Sequence, residues 1–474
     1  MDLGAGRRQP LPLDRPLDRP LDRPLDRLRA VGAAMLRVGA PALAATLIAV
    51  LLAPAAARAD TGGAPRVAVS APPVREGETT TVAVAVTAED GTPAPGVPVI
   101  VERADGDGWT PIASLVTDAE GTATVPVVLS RTDAENRVRV TTGQDPDLTV
   151  VEQRLPLTLR TARVVLDGPS RVIDERAITL TLAWRDDADR PVAGRYVLES
   201  RTAGRGWREV GAHRTAADGT AALRLRPRVD TDYRVRTPAL DWLRAAASGV
   251  LRVDNRPPGR PVVLPMAAPE PTVVLPPQPR AVGAGANPVV TRIPDAVWRR
   301  MVGRSWHAGC PVGRSGLRLL RINYWDFDGY RRRGELVAAT GAIGEMAGAL
   351  AGMYAGRYPI RSMYLPDRFG WSSQLQGADD RRSMAADNTS AFNCRWVVGR
   401  PGVRSPHARG RSLDVNTWEN PFRSSRGIVP NSWWQSRSDP RVAWRSSDHP
   451  VVRIMRAHGL RWTYGLADTQ HFDA

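Results

Sequence analysis

Two short stretches of this chain set imidazole and carboxylate groups close together. The first, RSPHARGRSLDVN, places His407 seven residues before Asp414, with Gly410 between them. The second, ADTQHFDA at the C-terminal end, places Asp468 three residues before His471. An imidazole and a carboxylate on neighbouring segments can share one cation. Three protein ligands, with a fourth position left for water, make a catalytic zinc site. In the terminal pair, one side chain can bind metal while the other reaches the water beside it. Either spacing alone is matched by many structural histidines. Together they define a candidate metal site in which His407 and Asp414 are joined by one member of the Asp468–His471 pair, the other member serving as the neighbouring base. His307, His449 and His458 have no such acidic partner and are expected on the surface or in packing.

These groups need elements to hold them. After Gly410 the run Arg411 to Val415 alternates, so Leu413 and Val415 face one way while Ser412 and Asp414 face the other. If the apolar pair enters the core, Asp414 faces a cleft, and Gly410 lets the turn bearing His407 fold back towards the strand. Upstream, ELVAATGAIGEMAGALAGMY puts Leu336, Ile343, Met346, Leu350 and Met353 on a helical period. Its glycines weaken the helix but allow close packing. YPIRSMYL then reads as a turn into a strand. A helix beside a small sheet is the expected result. Trp433 and Trp434, in NSWWQSR, suit either a groove lining or a core anchor.

Length and charge set the wider frame. At 474 residues the chain exceeds one ordinary hydrophobic core and predicts about two to four domains. The formal charge is +16, and all 65 basic residues are arginine. Thr291 to Ala474 holds 28 arginines against 15 acidic residues, so the excess lies mainly in the last part. Such a face attracts polyanions, an anionic cell envelope among them. Nucleic acid is not an expected partner, because no recognition helix, zinc finger or RNA-binding signature accompanies the charge.

Residues 1–34 are a low-complexity leader that repeats LDR from Leu13 and is expected to be disordered. Residues 35–59 follow, with Met35 and Arg37 ahead of an uncharged stretch and small residues at Ala57 and Ala59. This is the grammar of a secretory signal peptide. The alternative is an uncleaved anchor, the one case that makes a membrane a partner, since about 20 apolar residues span a bilayer. Either way the remainder is expected outside the cytoplasm. There, a lone cysteine pair, Cys310 and Cys394, is expected to form a disulfide.

The chain then repeats itself. GDGWTPIASLVTDAEGTATVPV around Trp109 corresponds to GRGWREVGAHRTAADGTAALRL around Trp207, and RVRV from Arg137 corresponds to RVRT from Arg234. Short alternating runs between Gly-containing turn clusters predict two antiparallel β-sandwiches of immunoglobulin type, over residues 64–158 and 160–254. Trp109 and Trp207 are either ligand-stacking platforms or packed strand aromatics. Residues 255–290, dense in proline, are expected as a semi-rigid spacer that holds off the last domain.

The form Ser405-x-His407-x-x-Gly410-x-x-x-Asp414, followed by Asp468-x-x-His471, resembles the zinc D-alanyl-D-alanine carboxypeptidase family. That family shares its core with L-alanyl-D-glutamate endopeptidases. The stretches YWDFDG, GELV, YPIRSM, MAADNTSAFNCR, DVNTWENP and QHF agree, and the resemblance begins at about Trp298 and reaches the end. It implies an α+β peptidase domain over residues 291–474 with a small antiparallel sheet, which with the two all-β immunoglobulin-like sandwiches read from the repeat makes a multidomain chain. It further implies one Zn²⁺ held by His407, Asp414 and His471, with Asp468 as general base. Arg395, in FNCR, would hold the substrate carbonyl oxygen, and Ser405 would be a supporting polar residue. Ser412 departs from the family's usual alanine. The implied activity is a secreted, cell-wall-associated metallopeptidase hydrolysing peptidoglycan stem peptides, first as a D-alanyl-D-alanine carboxypeptidase and second as an L-alanyl-D-glutamate endopeptidase. Its partners would be peptidoglycan and anionic wall polymers. A reading from another class, a non-catalytic wall-binding or adhesive protein, would show a missing ligand or base, and none is missing.

Overall fold

The computed structural model describes residues 65–142 and 148–474. The leader and signal segments expected over residues 1–59 lie outside the described residues. Among the described residues, no helix is long and apolar enough to cross a membrane.

In the first repeat, valines at alternate positions turn one face of each strand inward. Val82 and Val84 on Thr79–Thr87, Val99 and Val101 on Pro98–Asp105, and Val138 and Val140 on Arg137–Thr142 form one core. It lies between a three-stranded and a four-stranded antiparallel sheet. The second repeat uses larger side chains, with Trp184, Leu180, Tyr196 and Leu198 between a three-stranded and a six-stranded sheet. The matched turn glycines, Gly121 and Gly219, have φ of +70° and +75°, and a Cβ there would stand 2.6 Å from Val86 O or 2.5 Å from Trp184 O. Trp109 and Trp207 are half-buried outside both cores. Arg137 and Arg139 lie over Trp109, and Arg201 and Arg234 over Trp207. The repeated RVR stretch therefore supplies guanidiniums to the rings on which a ligand would have stacked.

The proline-rich segment is not the expected spacer but a strap across the last domain. Val262 N–H donates to Phe327 O at 2.8 Å, Val273 N–H to Ala385 O at 3.0 Å, and the Trp418 indole donates to Pro269 O at 2.6 Å. The buried Gln278 amide donates to Met363 O at 2.7 Å and accepts from Met363 N–H at 2.8 Å and the Tyr324 hydroxyl at 2.7 Å. Proline removes donors from the strap and leaves its carbonyls to be satisfied by the domain beneath. Leu264 and Ala268 pack on Trp418 and the fully buried Trp434, which is thus an anchor for the strap. The second sandwich touches the last domain directly: Arg331 pairs with Glu175 at 2.6 Å, and the Tyr330 hydroxyl donates to Asn255 O at 2.8 Å.

In the last domain, Val289–Thr291, Leu317–Trp325 and Arg331–Ala339 form an antiparallel sheet. The helix Ile343–Ala355 buries Met346, Leu350 and Met353 against it. Leu336, which fits the helical period, is instead on the strand opposite Leu320, because a turn after Ala339 separates the two elements. YPIRSMYL forms no strand beyond a single bridge from Ser362 to Asn388; the Gln278 amide bonds both backbone groups of Met363, whose O also accepts the Glu335 N–H at 3.0 Å. A Cβ at Gly348 or Gly352 would come within 2.6 Å of His458 or 2.7 Å of Ile454, so these glycines admit the second helix, Pro450–Ala457. Leu413, Val415 and Phe472 complete this core.

Candidate metal centre

His407 lies on a 3-10 turn, Pro406–Arg409, that begins at Ser405, whose buried Oγ accepts the His407 N–H at 3.4 Å. Gly410 ends the turn in the left-handed region at φ +68°, where glycine is favoured. A Cβ on it would stand 2.7 Å from the Ala339 nitrogen, whose N–H donates to Gly410 O at 2.8 Å. The turn is thereby fastened to the central sheet. Next, the strand Ser412–Asp414 pairs with His471–Asp473 so that Asp414 faces His471, Leu413 faces Phe472, and Ser412 faces Asp473. Alternate residues share a face. Leu413 and Phe472 enter the core, leaving the four polar residues together on the other side. A slip of one residue would exchange the two faces.

The three proposed ligands meet. His407 Nε2 is 3.1 Å from Asp414 Oδ2, His471 Nδ1 is 3.1 Å from Asp414 Oδ1, and these two ring nitrogens are 3.2 Å apart. All three residues are buried. His407 Nδ1–H donates to Ala391 O at 2.7 Å, and His471 Nε2–H donates to Asp473 Oδ1 at 2.9 Å. With the outer nitrogens carrying the protons, the inner ones present lone pairs. Two such lone pairs beside a carboxylate repel unless a proton or cation sits between them. Two neutral imidazoles and one carboxylate, each ring oriented from behind by an acceptor, are a donor set suited to zinc.

The electrostatics follow from this crowding. Burial pushes the Asp414 carboxyl up, but the two imidazoles outweigh it and hold the group well below the usual carboxylate range. Burial lowers His471, yet Asp414 and Asp473 overcome it and, without a cation, raise it to about 10. A metal at this site would therefore compete with a proton for the same nitrogen. Asp473 is itself held below its ordinary range: burial raises it, while His471 and Ser412 lower it further. The Ser412 hydroxyl donates to Asp473 Oδ1 at 2.6 Å. The serine that departs from the family pattern thus braces the carboxylate behind His471.

Asp468 is half-buried as a residue, but its Oδ1 is shut off from solvent and has no hydrogen-bond partner among the described residues. Burial, then the charge of Asp414, raises this carboxyl well above its ordinary value. Arg395 pairs with the buried Asp380 at 2.7 Å and donates to Trp396 O at 3.1 Å, while its Nε has no partner among the described residues. Arg395, Asp468, Asp380 and the three clustered residues line one cavity of about 250 Å³. Cys394, directly before Arg395, is disulfide-bonded to Cys310, 84 residues earlier. Asp380 and Asp473 were not expected from the sequence. Asp473 had a signal, since it stands two positions beyond His471 on an alternating strand; Asp380 had none. Of the other histidines, His449 caps the helix Pro450–Ala457 by accepting the Val451 N–H at 3.2 Å. His307 stands beside the disulfide, with Nδ1 2.8 Å from Ala308 O and Nε2 3.0 Å from Gln376 O.

Comparisons with known proteins bear on this region and little else. No curated protein matches the chain. Among solved structures, the N-terminal four Ig domains of Dscam1 are similar at 12% identity and a TM-score of 0.25, over 41% of this chain and 46% of that one. An alpha-2-macroglobulin of Salmonella is similar at 12% identity and a TM-score of 0.21, over 54% of this chain and 18% of that one. The D0-D1 domain of intimin gives 14% identity and a TM-score of 0.17, over 40% and 97%. The chain thus spans less than half of the first of these structures, and scores this low assign it nothing. The family comparison is more specific: residues 398–474 match a family described as D-alanyl-D-alanine carboxypeptidase. His407, Asp414, Asp468 and His471 all fall inside that match, so the segment that builds the cluster is similar to a peptidase family.

Proposed function

We propose that the C-terminal domain is a zinc-dependent peptidase that hydrolyses peptidoglycan stem peptides outside the cytoplasm, as a D-alanyl-D-alanine carboxypeptidase. The carrying observation is the convergence of His407 Nε2, His471 Nδ1 and the Asp414 carboxylate, with the outer ring nitrogens already bonded to Ala391 O and Asp473. Three ligands are one fewer than a tetrahedral ion takes, which is the pattern of catalytic sites. When bound, zinc would supply Lewis-acid polarisation and acidify water at the site to a pKa of about 7.

The chain's own groups supply the rest. Asp468 takes the proton of the attacking water and gives it to the departing amine. Its Oδ1 is shut off from solvent and has no hydrogen-bond partner among the described residues, which leaves it open to accept that proton. Arg395 donates to the carbonyl oxygen as negative charge develops there, and Asp380 fixes the guanidinium from the far side. Ser405 holds the His407 turn by accepting the backbone N–H.

The test is digestion of purified muropeptides with mass measurement of the products. Loss of one terminal D-alanine is expected. Release of stem fragments cut between L-alanine and D-glutamate would replace the carboxypeptidase reading with the endopeptidase one. No product with the zinc-loaded protein would favour a non-catalytic wall-binding role.

A further inference from the structure

A second concavity, of about 350 Å³, lies apart from the catalytic residues and is lined by Arg260, Trp325, Arg357, Tyr358 and Arg441, with no carboxylate among its lining residues. Its arginines come from three distant segments: the start of the strap, the turn after the helix Ile343–Ala355, and the loop before the helix Pro450–Ala457. Arg260 and Arg357 are exposed, Arg441 is half-buried, and none of the three makes an ion pair among the described residues. Elsewhere in the same domain Arg331, Arg332, Arg361 and Arg395 each meet a carboxylate. Asp439, two residues before Arg441, accepts the backbone N–H groups of Arg441 and Val442 at 2.8 and 3.1 Å.

Two of the three arginines are held in place. The Arg441 guanidinium donates to Pro261 O and Arg260 O, each at 3.0 Å, which pins it against the base of the strap. Arg357 has φ +58°, the left-handed conformation that costs a non-glycine residue about 1–2 kcal/mol. The glycine that would normally fill this position after a helix, Gly356, stands one residue early with φ −73°. Its guanidinium lies 5.7 Å from the centre of the Trp325 ring. Such backbone outliers tend to persist at ligand clamps.

We propose that this concavity is a binding site for a phosphate-bearing polyanion. Unpaired arginines are common in this domain, but here three of them, from three segments, share one basin with no carboxylate in its lining. A tetrahedral phosphate accepts hydrogen bonds on every side and can meet forks arriving from three segments. A planar carboxylate accepts along fewer directions and satisfies fewer of them. Trp325 and Tyr358 give the basin an apolar wall for the carbon skeleton between phosphates. Because the strap supplies Arg260 and the domain supplies Arg357 and Arg441, the bound anion would also tie one to the other. None of this depends on the peptidase reading.

The experiment is calorimetric titration of the protein at low ionic strength with inorganic pyrophosphate, comparing it with R260Q/R357Q at equal metal content. Both altered side chains are exposed, and thermal unfolding checks that the variant folds. The expected result is binding weakened at least about 10-fold in the double variant, with R260K/R357K intermediate, since lysine keeps the charge but loses the fork. Muropeptide hydrolysis by R260Q/R357Q should stay unchanged. Absence of pyrophosphate binding, or equal binding by both proteins, would overturn the site. Binding of citrate but not pyrophosphate would overturn its phosphate preference. Loss of hydrolysis together with binding would show that these arginines belong to the peptidase site and would overturn its separateness.

Discussion

Two groups of three metal-binding residue types occur in the last domain: His407, Asp414 and His471, and His307, Cys310 and Cys394. In each, the candidate ligand atoms lie within 4.8 Å of one another. Proximity alone does not separate them, but the use of their electron pairs does. In the second group the thiols are consumed by a disulfide, and both His307 nitrogens face carbonyl oxygens, which only accept. In the first, each histidine uses its outer nitrogen on an acceptor and keeps the inner one free. A metal site is therefore recognised less by residue types than by what stands behind them.

The sharpest way to break this comparison is to replace ligands. H407A, D414A or H471A should each lose stoichiometric zinc by elemental analysis and all hydrolysis, whereas H307A should keep both. Retention of zinc by H471A would place the metal elsewhere. Next in size, D468N should lower kcat by about 10²–10⁴-fold while the metal content stays at one, because the base is lost and the ligands remain. Zinc loss in that variant would make Asp468 a ligand instead.

Behind the ligands the effects shrink. D473N should weaken zinc affinity by about 10–100-fold in a chelator competition, with S412A displaced in the same direction by less. Unchanged affinity in D473N would remove its orienting role. The disulfide group should answer with stability and not with metal: C310S/C394S should lose about 4–5 kcal/mol in denaturant unfolding on the loop-entropy model, with zinc retained. The last effect concerns the metal-free protein. His471 has a folded pKa of about 10, above its unfolded value, so its stabilising contribution is complete below about pH 6.5 and fades as pH rises towards 10. Thermal unfolding of the metal-free protein should show this decline, and zinc should suppress it by displacing the proton.

Local patterns reached far in some places and failed in others for a common reason. The alternation after Gly410 put Leu413 and Val415 in the core, and the repeat placed matching turns at Gly121 and Gly219, because both patterns act within a few residues. Leu336 was grouped with the wrong element because an apolar run that crosses a strand–helix junction keeps a spacing common to both. The proline-rich segment read as a spacer because its composition reveals its stiffness but not the Gln278 and Trp418 contacts that fasten it. Asp380 and the Ala391 carbonyl carried no local pattern at all.

The sequence by itself offered the candidates: two histidines and two aspartates by their spacing, an arginine by family resemblance, and an alternation that turned Asp414 away from the core. Only the tertiary structure decided that segments more than fifty residues apart would pair with Asp414 opposite His471, and that Ser412 and Asp473 would stand behind them. Side-chain chemistry and facing are local properties of a few backbone angles. Strand register, the outer partner of each imidazole and the path of the strap depend on contacts between distant segments, which form only when the whole core closes.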